Sequence, residues 1–197
     1  MRPTRAAASL LLSFALALFA PPLGVSVAAV DLDEGFGGDG LVTTDFGGVE
    51  SANAVAVRPD GKLVVLGEIR PSAGSAPENS MLLRYKPDGS ADASFGDGGK
   101  AVVVFPGFMF VASDLALQPD GKIVVAANHN GQPGGTGGAD TWLLRFTPDG
   151  QPDATFGAGG ETVASAAPES DGVYALALDS AGNAVVAGLA YDGSDKL

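Results

Sequence analysis

The sequence predicts an all-β fold made from a repeated unit of about 60 residues. Three observations predict it: two recurring phrases, turn residues at the strand boundaries, and no convincing helical period after the first 29 residues. The phrase D-x-x-F-G begins at Asp33, Asp92 and Asp153. A second phrase follows each copy as VRPDGKLVVLG, LQPDGKIVVAA and LDSAGNAVVAG. The repeat divides the chain into units near 33–91, 92–152 and 153–197.

Residues 1–29 have the pattern of a secretory signal peptide. A short basic start precedes an apolar run to Ala20, and small residues at 27–29 offer a cleavage site. Pro21 ends the run before it is long enough for a comfortable membrane span. An uncleaved signal anchor is the alternative. We expect residues 30–197 to be secreted or held at the cell envelope, with no membrane span after cleavage.

The composition argues against several classes of partner. The formal charge of −12 becomes −14 when Arg2 and Arg5 leave with the signal peptide. A surface this acidic repels nucleic acid and anionic lipid, so we expect no nucleic-acid partner. The chain has no cysteine, so stability has to come from packing rather than disulfides.

Four short strands are predicted in each complete unit. The evidence is a high density of β-branched residues, alternation with period two, and turn residues at each boundary. The predicted strands lie at 41–46, 52–58, 62–67 and 80–85 in the first unit, and at 100–105, 113–118, 122–127 and 141–146 in the second.

The predicted turns carry the sequence Pro-Asp-Gly. In the turn at 59–61, proline presets φ, aspartate bonds to backbone amides, and glycine takes the positive φ that closes a hairpin. The same triplet recurs at 119–121, and it also follows the last strand of both complete units at 87–89 and 148–150. The third unit keeps Gly182 but replaces Pro-Asp by Ser-Ala, which predicts a weakened turn.

The second strand of each unit has no face suited to water. Val55 and Val57 alternate with alanines, and leucines at 115, 117, 176 and 178 repeat the pattern. An ordinary sandwich would place polar residues on the outer faces of such strands. Sheets covered on both faces and repeated in series are typical of propeller blades. We therefore predict a β-propeller-like array of four-stranded antiparallel blades.

The predicted array is incomplete. Two repeats are whole, while the third stops about where its fourth strand would begin. Propellers usually close with about four to eight blades, so each end of this array should expose an apolar sheet face. A fragment of a longer protein is the favoured explanation, and closure by oligomerisation or an open arc are the alternatives. The predicted partners are further repeats of a longer chain, or self-association.

Three linked motifs resemble the delta-60 repeat family of bacterial exported proteins. They are D-x-x-F-G-x-G-G, the Q/R-P-D-G-K-hydrophobic run, and a closing motif seen as LLRYKPDG and LLRFTPDG. The resemblance covers the chain from Asp33 to about Gly188. It implies a β-propeller-like module on a secreted or surface protein, and it brings no assigned reaction and no functional residues.

Most recurring residues are interpreted as structural. Phe36, Phe95 and Phe156 recur in every unit, as packing at blade junctions requires. Arg84 and Arg145 recur before an aromatic residue, and we expect them to pair with Asp92 and Asp153 as structural latches.

No catalytic constellation is found in the sequence. The only histidine, His129, has no G-x-S-x-G nucleophile motif to accompany it. The glycine-rich stretch 133–138 lacks the Lys-Ser/Thr of a phosphate loop. Asp31, Asp33 and Asp39 match no defined calcium loop, so calcium is only a weak cofactor candidate and no other cofactor is expected.

Function is therefore expected where the repeat is broken. The loops at 68–79, at 128–140 and from Leu189 onward vary at one place in each unit, and repeat proteins bind through such loops. The apolar loop 106–110 replaces charged loops of the other units, either as a partner patch or as a cover over the open end. We predict a non-enzymatic scaffold or recognition surface for a glycan or protein; the alternative is a fragment of a propeller hydrolase or lyase with a central-channel site. The aromatic candidates for binding are Phe108, Phe110 and Trp142.

Overall fold

The described part of the chain is all β, as predicted. A computed structural model describes residues 31–70, 79–103, 110–129, 140–164 and 170–191. Within these ranges there are ten strands and no helix. The strands are β1 (Val49–Val57), β2 (Leu63–Arg70), β3 (Asn79–Tyr85), β4 (Lys100–Val103), β5 (Phe110–Leu117), β6 (Ile123–His129), β7 (Asp140–Phe146), β8 (Glu161–Ala164), β9 (Ser170–Leu178) and β10 (Ala184–Tyr191).

The ten strands form three antiparallel sheets. The first sheet has the order β1-β2-β3-β4 and the second has the order β5-β6-β7-β8. In the third sheet β9 pairs with β10. Each sheet is open, with consecutive strands as neighbours. This confirms the prediction of four-stranded antiparallel blades followed by an incomplete third unit.

The hydrophobic core lies between successive sheets. Alternation along the strands sends one set of apolar side chains toward the next sheet and the other set toward the preceding one. Val124, Ala126 and Leu143 of the second sheet pack with Val173 and Leu176 of the third. The larger cluster joins the first sheet to the second through Val64, Leu66, Leu82, Phe95, Ala101, Val103, Ala112, Leu115, Ile123, Val125, Ala127, Leu144 and Phe146.

The sheets are offset by one strand from the sequence repeats. Residues 100–105 were expected to open the second unit, but Lys100–Val103 is β4, the outer strand of the first sheet. Its residues pair with β3, for example Val103 with Ser80. The same arrangement recurs where β8 pairs with β7. Each outer strand is thus the first segment of the following sequence repeat.

The prediction of a strand at 41–46 is wrong. In this segment only Val42 forms an isolated bridge. The physical reason follows from the offset, because the equivalent residues of the other units pair with a third strand that precedes them. No such strand precedes residue 41 in the described part of the chain. Val42 of this segment instead packs, together with Phe36 before it, against the face of the first sheet formed by Leu63, Val65 and Tyr85.

Both ends of the array expose apolar side chains, as predicted. Val55 and Val57 of β1 are 44% and 49% exposed, whereas the equivalent leucines of β5 face the core. At the other end, Val185 and Leu189 of β10 are both 54% exposed. None of the described residues belongs to a helix long and apolar enough to cross a membrane.

Candidate functional site

The junction between the first and second sheets contains a buried ionic cluster around Asp92. Its Oδ2 accepts from Arg84 Nε at 2.7 Å and lies 2.9 Å from Lys62 Nζ. Its Oδ1 accepts from the Ser94 hydroxyl at 2.7 Å. Asp92 and Arg84 are both only 4% exposed. The predicted pairing of Arg84 with Asp92 is confirmed.

The environment of Asp92 keeps its carboxylate charged. The hydrogen bond from Lys62 is the largest influence, and it lowers the pKa of Asp92 far below the ordinary range, helped by Ser94 and by the charge of Arg84. Burial works in the opposite direction and is outweighed. A carboxylate held in this way carries no proton near neutral pH, so Asp92 is unsuited to act as a general acid.

Asp153 repeats this cluster at the next junction. Its Oδ2 accepts from Arg145 Nε at 2.8 Å and lies 3.2 Å from Lys122 Nζ. The hydroxyl of Thr155 donates to Oδ1 at 2.6 Å, and this bond is the largest influence lowering the pKa of Asp153. The predicted latch between Arg145 and Asp153 is confirmed, so both recurring arginines serve the junctions.

Phe95 packs against the turn that follows β7 of the next sheet. The ring is fully buried, and Arg84 lies over it with Cζ 4.7 Å from the ring centre. Gly150 approaches the same ring so closely that a methyl group on its Cα would lie 2.7 Å from Phe95 Cζ. Gly150 also has a φ of 84°, which an L side chain rarely adopts. The interpretation of Phe95 as a junction residue is confirmed.

Two hydrogen bonds hold the same turn from the first sheet. Arg84 Nη1 donates to the Pro148 carbonyl at 2.7 Å, and the Gly96 amide donates to the Asp149 carbonyl at 2.9 Å. Arg84 of β3 and the Phe95-Gly96 pair that follows it therefore hold the Pro-Asp-Gly turn that follows β7 of the second sheet. We call this arrangement the turn grip.

Part of the turn grip is present before the first sheet. The Gly37 amide donates to the Asp88 carbonyl at 3.0 Å, and Gly89 lies against the ring of Phe36. Phe36 and Val42 pack on the cluster formed by Leu63, Val65 and Tyr85. Residues 33–46 thus occupy on the first sheet the place that Phe95 and its neighbours occupy on the second.

A second polar contact between sheets uses a bulge that recurs in β1, β5 and β9. Asn53, in the bulge of β1, donates to Glu68 at 2.9 Å and to the Ala112 carbonyl at 2.7 Å. The Ala112 amide donates to the Ser80 hydroxyl at 3.2 Å. Both backbone groups of fully buried Ala112 are therefore satisfied by side chains of the preceding sheet.

Asn128 makes the equivalent contact with the third sheet. Its Nδ2 donates to the Val173 carbonyl at 2.9 Å, and its Oδ1 accepts from the Val173 amide at 2.6 Å. Nδ2 also donates to Ser113, the bulge residue of β5, at 2.8 Å. We call these contacts of Asn53 and Asn128 the bulge clips. The bulge clips were not predicted from the sequence; the available signal was a polar residue, Glu68 or Asn128, at the same position of two apolar strands.

The turn of the third unit is intact despite its different sequence. Asp179 accepts from the amides of Ala181 and Asn183 at 2.9 and 2.8 Å. Gly182 has a φ of 82°, close to the 78° of Gly61. Asp179 therefore makes the hydrogen bonds that an aspartate at position 181 would make. The prediction of a weakened turn is wrong, since the backbone geometry of this turn matches that of the others.

The predicted binding residues fall in different places. Phe108 lies outside the described residues. Phe110 begins β5, and its side chain is not described. Trp142 lies in β7, half-buried against the cluster that joins the first two sheets. Trp142 is thus part of a junction.

The weaker sequence candidates form no site in the described residues. Asp33 and Asp39 each accept from an amide two residues ahead, as turn residues do. Across the described ranges, no three His, Asp or Glu side chains lie close enough to hold a metal ion. His129 ends β6, and its side chain is not described; the stretch 133–138 lies outside the described residues.

Open four-stranded sheets stacked through repeated junctions define an open array of propeller-type blades. A family model described as a domain of unknown function (DUF5122) beta-propeller matches residues 58–95 and 118–156. Each matched range ends at the phenylalanine of a recurring Phe-Gly pair, Phe95 or Phe156. The match supports a propeller-like repeat family for this chain. Neither a curated protein nor a solved structure matches it significantly.

Proposed function

We propose that the chain is a non-enzymatic module of delta-60 type, exported by a bacterium, that serves as a scaffold or recognition surface at the cell envelope. The observation that carries the proposal is that the residues recurring in the repeats form contacts within and between the sheets. Asp92 and Asp153 are each held by an arginine and a lysine, and the phenylalanines of the turn grips lie in the junctions. The repeated residues thus serve assembly, which leaves recognition to the residues that are not repeated.

The strand ends support a recognition surface on one side of the array. Phe110 pairs with His129, and His129 pairs with Asp140, so the beginnings of β5 and β7 and the end of β6 are neighbours. The segments 104–109 and 130–139 begin or end at these neighbouring positions. In this proposal, Phe108 and Phe110 supply the aromatic contacts, because aromatic side chains dominate the energetics of many binding surfaces.

Binding of the mature chain (residues 30–197) to purified cell-wall sacculi and to a glycan array tests the proposal. We expect saturable binding to one of these probes. The double substitution Phe108→Ser and Phe110→Ser should weaken it about tenfold. The matched control is Val102→Ser with Val163→Ser, because these valines are 48% and 46% exposed on outer strands and their loss should leave binding unchanged.

Two outcomes would contradict the proposal. One is binding that both double variants weaken equally, which would place recognition outside the loop. The other is turnover of a glycan or ester substrate by the purified chain, which would favour the alternative of a propeller enzyme.

A further inference from the structure

Among the described residues, no strand pairs with the outer edge of β10, unlike the same edge of its equivalents β2 and β6. β2 lies between β1 and β3, and β6 lies between β5 and β7. In the described part of the chain β10 pairs with β9 alone. Val65 and Val125 are 3% and 0% exposed, whereas Val186, at the same position of β10, is 38% exposed. Because the residue type and the position in the strand are the same, we attribute the greater exposure of Val186 to the unpaired edge of β10.

The two complete sheets show which strand belongs at this edge. β3 and β7 carry the sequence Leu-Leu-Arg-aromatic, and they pair with β2 and β6 in one common register. Arg84 lies opposite Val64 and Arg145 lies opposite Val124. Applied to β10, this register places an arginine opposite Val185 and a leucine opposite Val186.

Next to this edge, Arg145, Phe156 and Gly157 are arranged like the residues of the turn grip, but no turn of the described residues lies against them. Arg145 lies over the ring of Phe156 at 4.6 Å, as Arg84 lies over Phe95 at 4.7 Å. Gly157 has a φ of 53°, close to the 55° of Gly96. Phe95 is fully buried under the turn 148–150, whereas Phe156 is only half-buried.

We propose that the edge of β10, with Arg145, Phe156 and Gly157, is an acceptor site for a β-strand of the Leu-Leu-Arg-aromatic type that ends in Pro-Asp-Gly. The strand adds antiparallel to β10, and its turn carbonyls accept from Arg145 and from the Gly157 amide. The glycine of the turn is required, because the equivalent Gly150 leaves no room for a side chain against Phe95. The inference rests on the proposed function as a scaffold and names the partner that extends it.

A strand of this type is favoured over an arbitrary β-strand because it would repeat the pairing of β3 with β2 and of β7 with β6, and the contacts that hold the turn 148–150. Any extended chain can pair with an open edge. Only a strand followed by Pro-Asp-Gly also presents two carbonyls and a glycine to the turn grip. The selectivity of the site is therefore expected to lie in the turn and not in the backbone ladder.

A labelled peptide with the sequence of residues 140–151 tests the site by fluorescence anisotropy with the mature chain. We expect saturable binding with one peptide per chain. Replacement of the peptide's turn glycine, equivalent to Gly150, by valine should weaken binding about tenfold or more, as should scrambling. In the chain, Phe156→Ala should weaken binding to a similar degree, whereas Phe36→Ala, the matched change at the opposite end, should leave it unchanged.

Hydrogen exchange locates the bound peptide. We expect the amides of residues 184–190 to become protected, with no change in β6. Equal binding of the glycine and valine peptides, protection elsewhere, or no saturable binding would overturn the proposal. Protection of β10 that rises with the concentration of the chain alone would also overturn it, because a second copy would then occupy the edge. The valine peptide keeps the test valid if Phe156→Ala unfolds the chain, and binding to sacculi tests the proposed function separately.

Discussion

At Gly150, glycine is required for two separate reasons, the backbone conformation and the packing. Its φ of 84° favours glycine, and Phe95 fills the space where a side chain would lie. Gly159 has a φ of 75° with no atom within 4 Å of the position of a methyl group. The two glycines therefore separate backbone strain from steric overlap.

Gly150→Ala is expected to destabilise the chain more than Gly159→Ala. The left-handed conformation alone costs about 1–2 kcal/mol, and overlap with the ring of Phe95 adds about 1–3 kcal/mol. Urea unfolding of both variants measures the difference in free energy. Equal losses would show that the turn shifts freely away from Phe95, contrary to a tight turn grip.

Asp92→Asn is expected to be among the most damaging single changes. It leaves the guanidinium of Arg84 and the ammonium of Lys62 without their shared counter-charge in a buried site. Loss of one partner from a buried ion pair typically costs about 3–5 kcal/mol. Asp97→Asn is the control, because Asp97 is exposed and its change should cost less than about 0.5 kcal/mol. Unfolding in urea at neutral pH compares them, and similar stabilities would contradict a stabilising role for the cluster.

The stability of the chain is expected to fall in acid. The folded-state pKa of Asp92 lies below its unfolded value of about 3.9, so the unfolded state binds more protons between these two values. The stabilisation is complete above about pH 5 and is lost as the pH falls from about 4 toward the folded pKa. Asp60, Asp88, Asp153 and Asp179 have pKa values lowered in the same direction, so they contribute in the same window.

Urea unfolding between pH 7 and pH 2.5 measures this dependence. Asp92→Asn should reduce the loss of stability across the acid range without abolishing it, because the other aspartates remain. An identical pH dependence in the variant and the parent chain would show that Asp92 is not one of the groups responsible.

At the scale of the strand, the bulge clip of Asn128 is expected to hold β9 in place. Asn128→Ala leaves the amide and carbonyl of Val173 without this partner, and Val173 is only 1% exposed. Each buried backbone group left unpaired costs about 1–3 kcal/mol. Hydrogen exchange should show faster opening of β9 and β10. Ser113→Ala is the control, because it removes only the bond from Asn128 to the bulge; equal effects of the two changes would contradict the clip.

The strands and turns could be predicted from the sequence because they depend on local chemistry. Seven of the eight predicted strands have counterparts within a few residues, since alternation and Pro-Asp-Gly turns fix where a strand starts and stops. The failure at 41–46 and the offset of 100–105 have another origin. A strand's own sequence does not state which neighbour it pairs with, and here the partner of each outer strand belongs to the preceding repeat.

The candidate sites were predictable only where both copies use the same residues. Arg84 with Asp92, and the phenylalanine junctions, were found because identical residues recur. The bulge clips were missed because their chemistry recurs with different residues, Asn53 with Glu68 in one sheet and Asn128 with Ser113 in the next. A contact of this kind becomes recognisable only when the backbone groups that it satisfies are known.

At the scale of the whole molecule, the three sheets differ in how many neighbours support them. The second sheet is packed on both faces, against the first and the third sheets. The first sheet packs on the second with one face and is partly covered on the other by residues 33–46. The third sheet has two strands in the described part of the chain and is packed on one face. In repeat arrays, stability is approximately the sum of the unit stabilities and their nearest-neighbour contacts. Opening should therefore begin at the third sheet.

Native-state hydrogen exchange in low concentrations of urea tests this order. The amides of β9 and β10 should exchange through a lower free energy of opening than those of β5 and β6, with β1 and β2 between them. The first sheet serves as the control, because it is also terminal but has four strands. A single free energy of opening for all three sheets would show that the array unfolds as one cooperative unit. In that case the third sheet would already be as strongly held as the complete ones, and an added strand at β10 would have little left to stabilise.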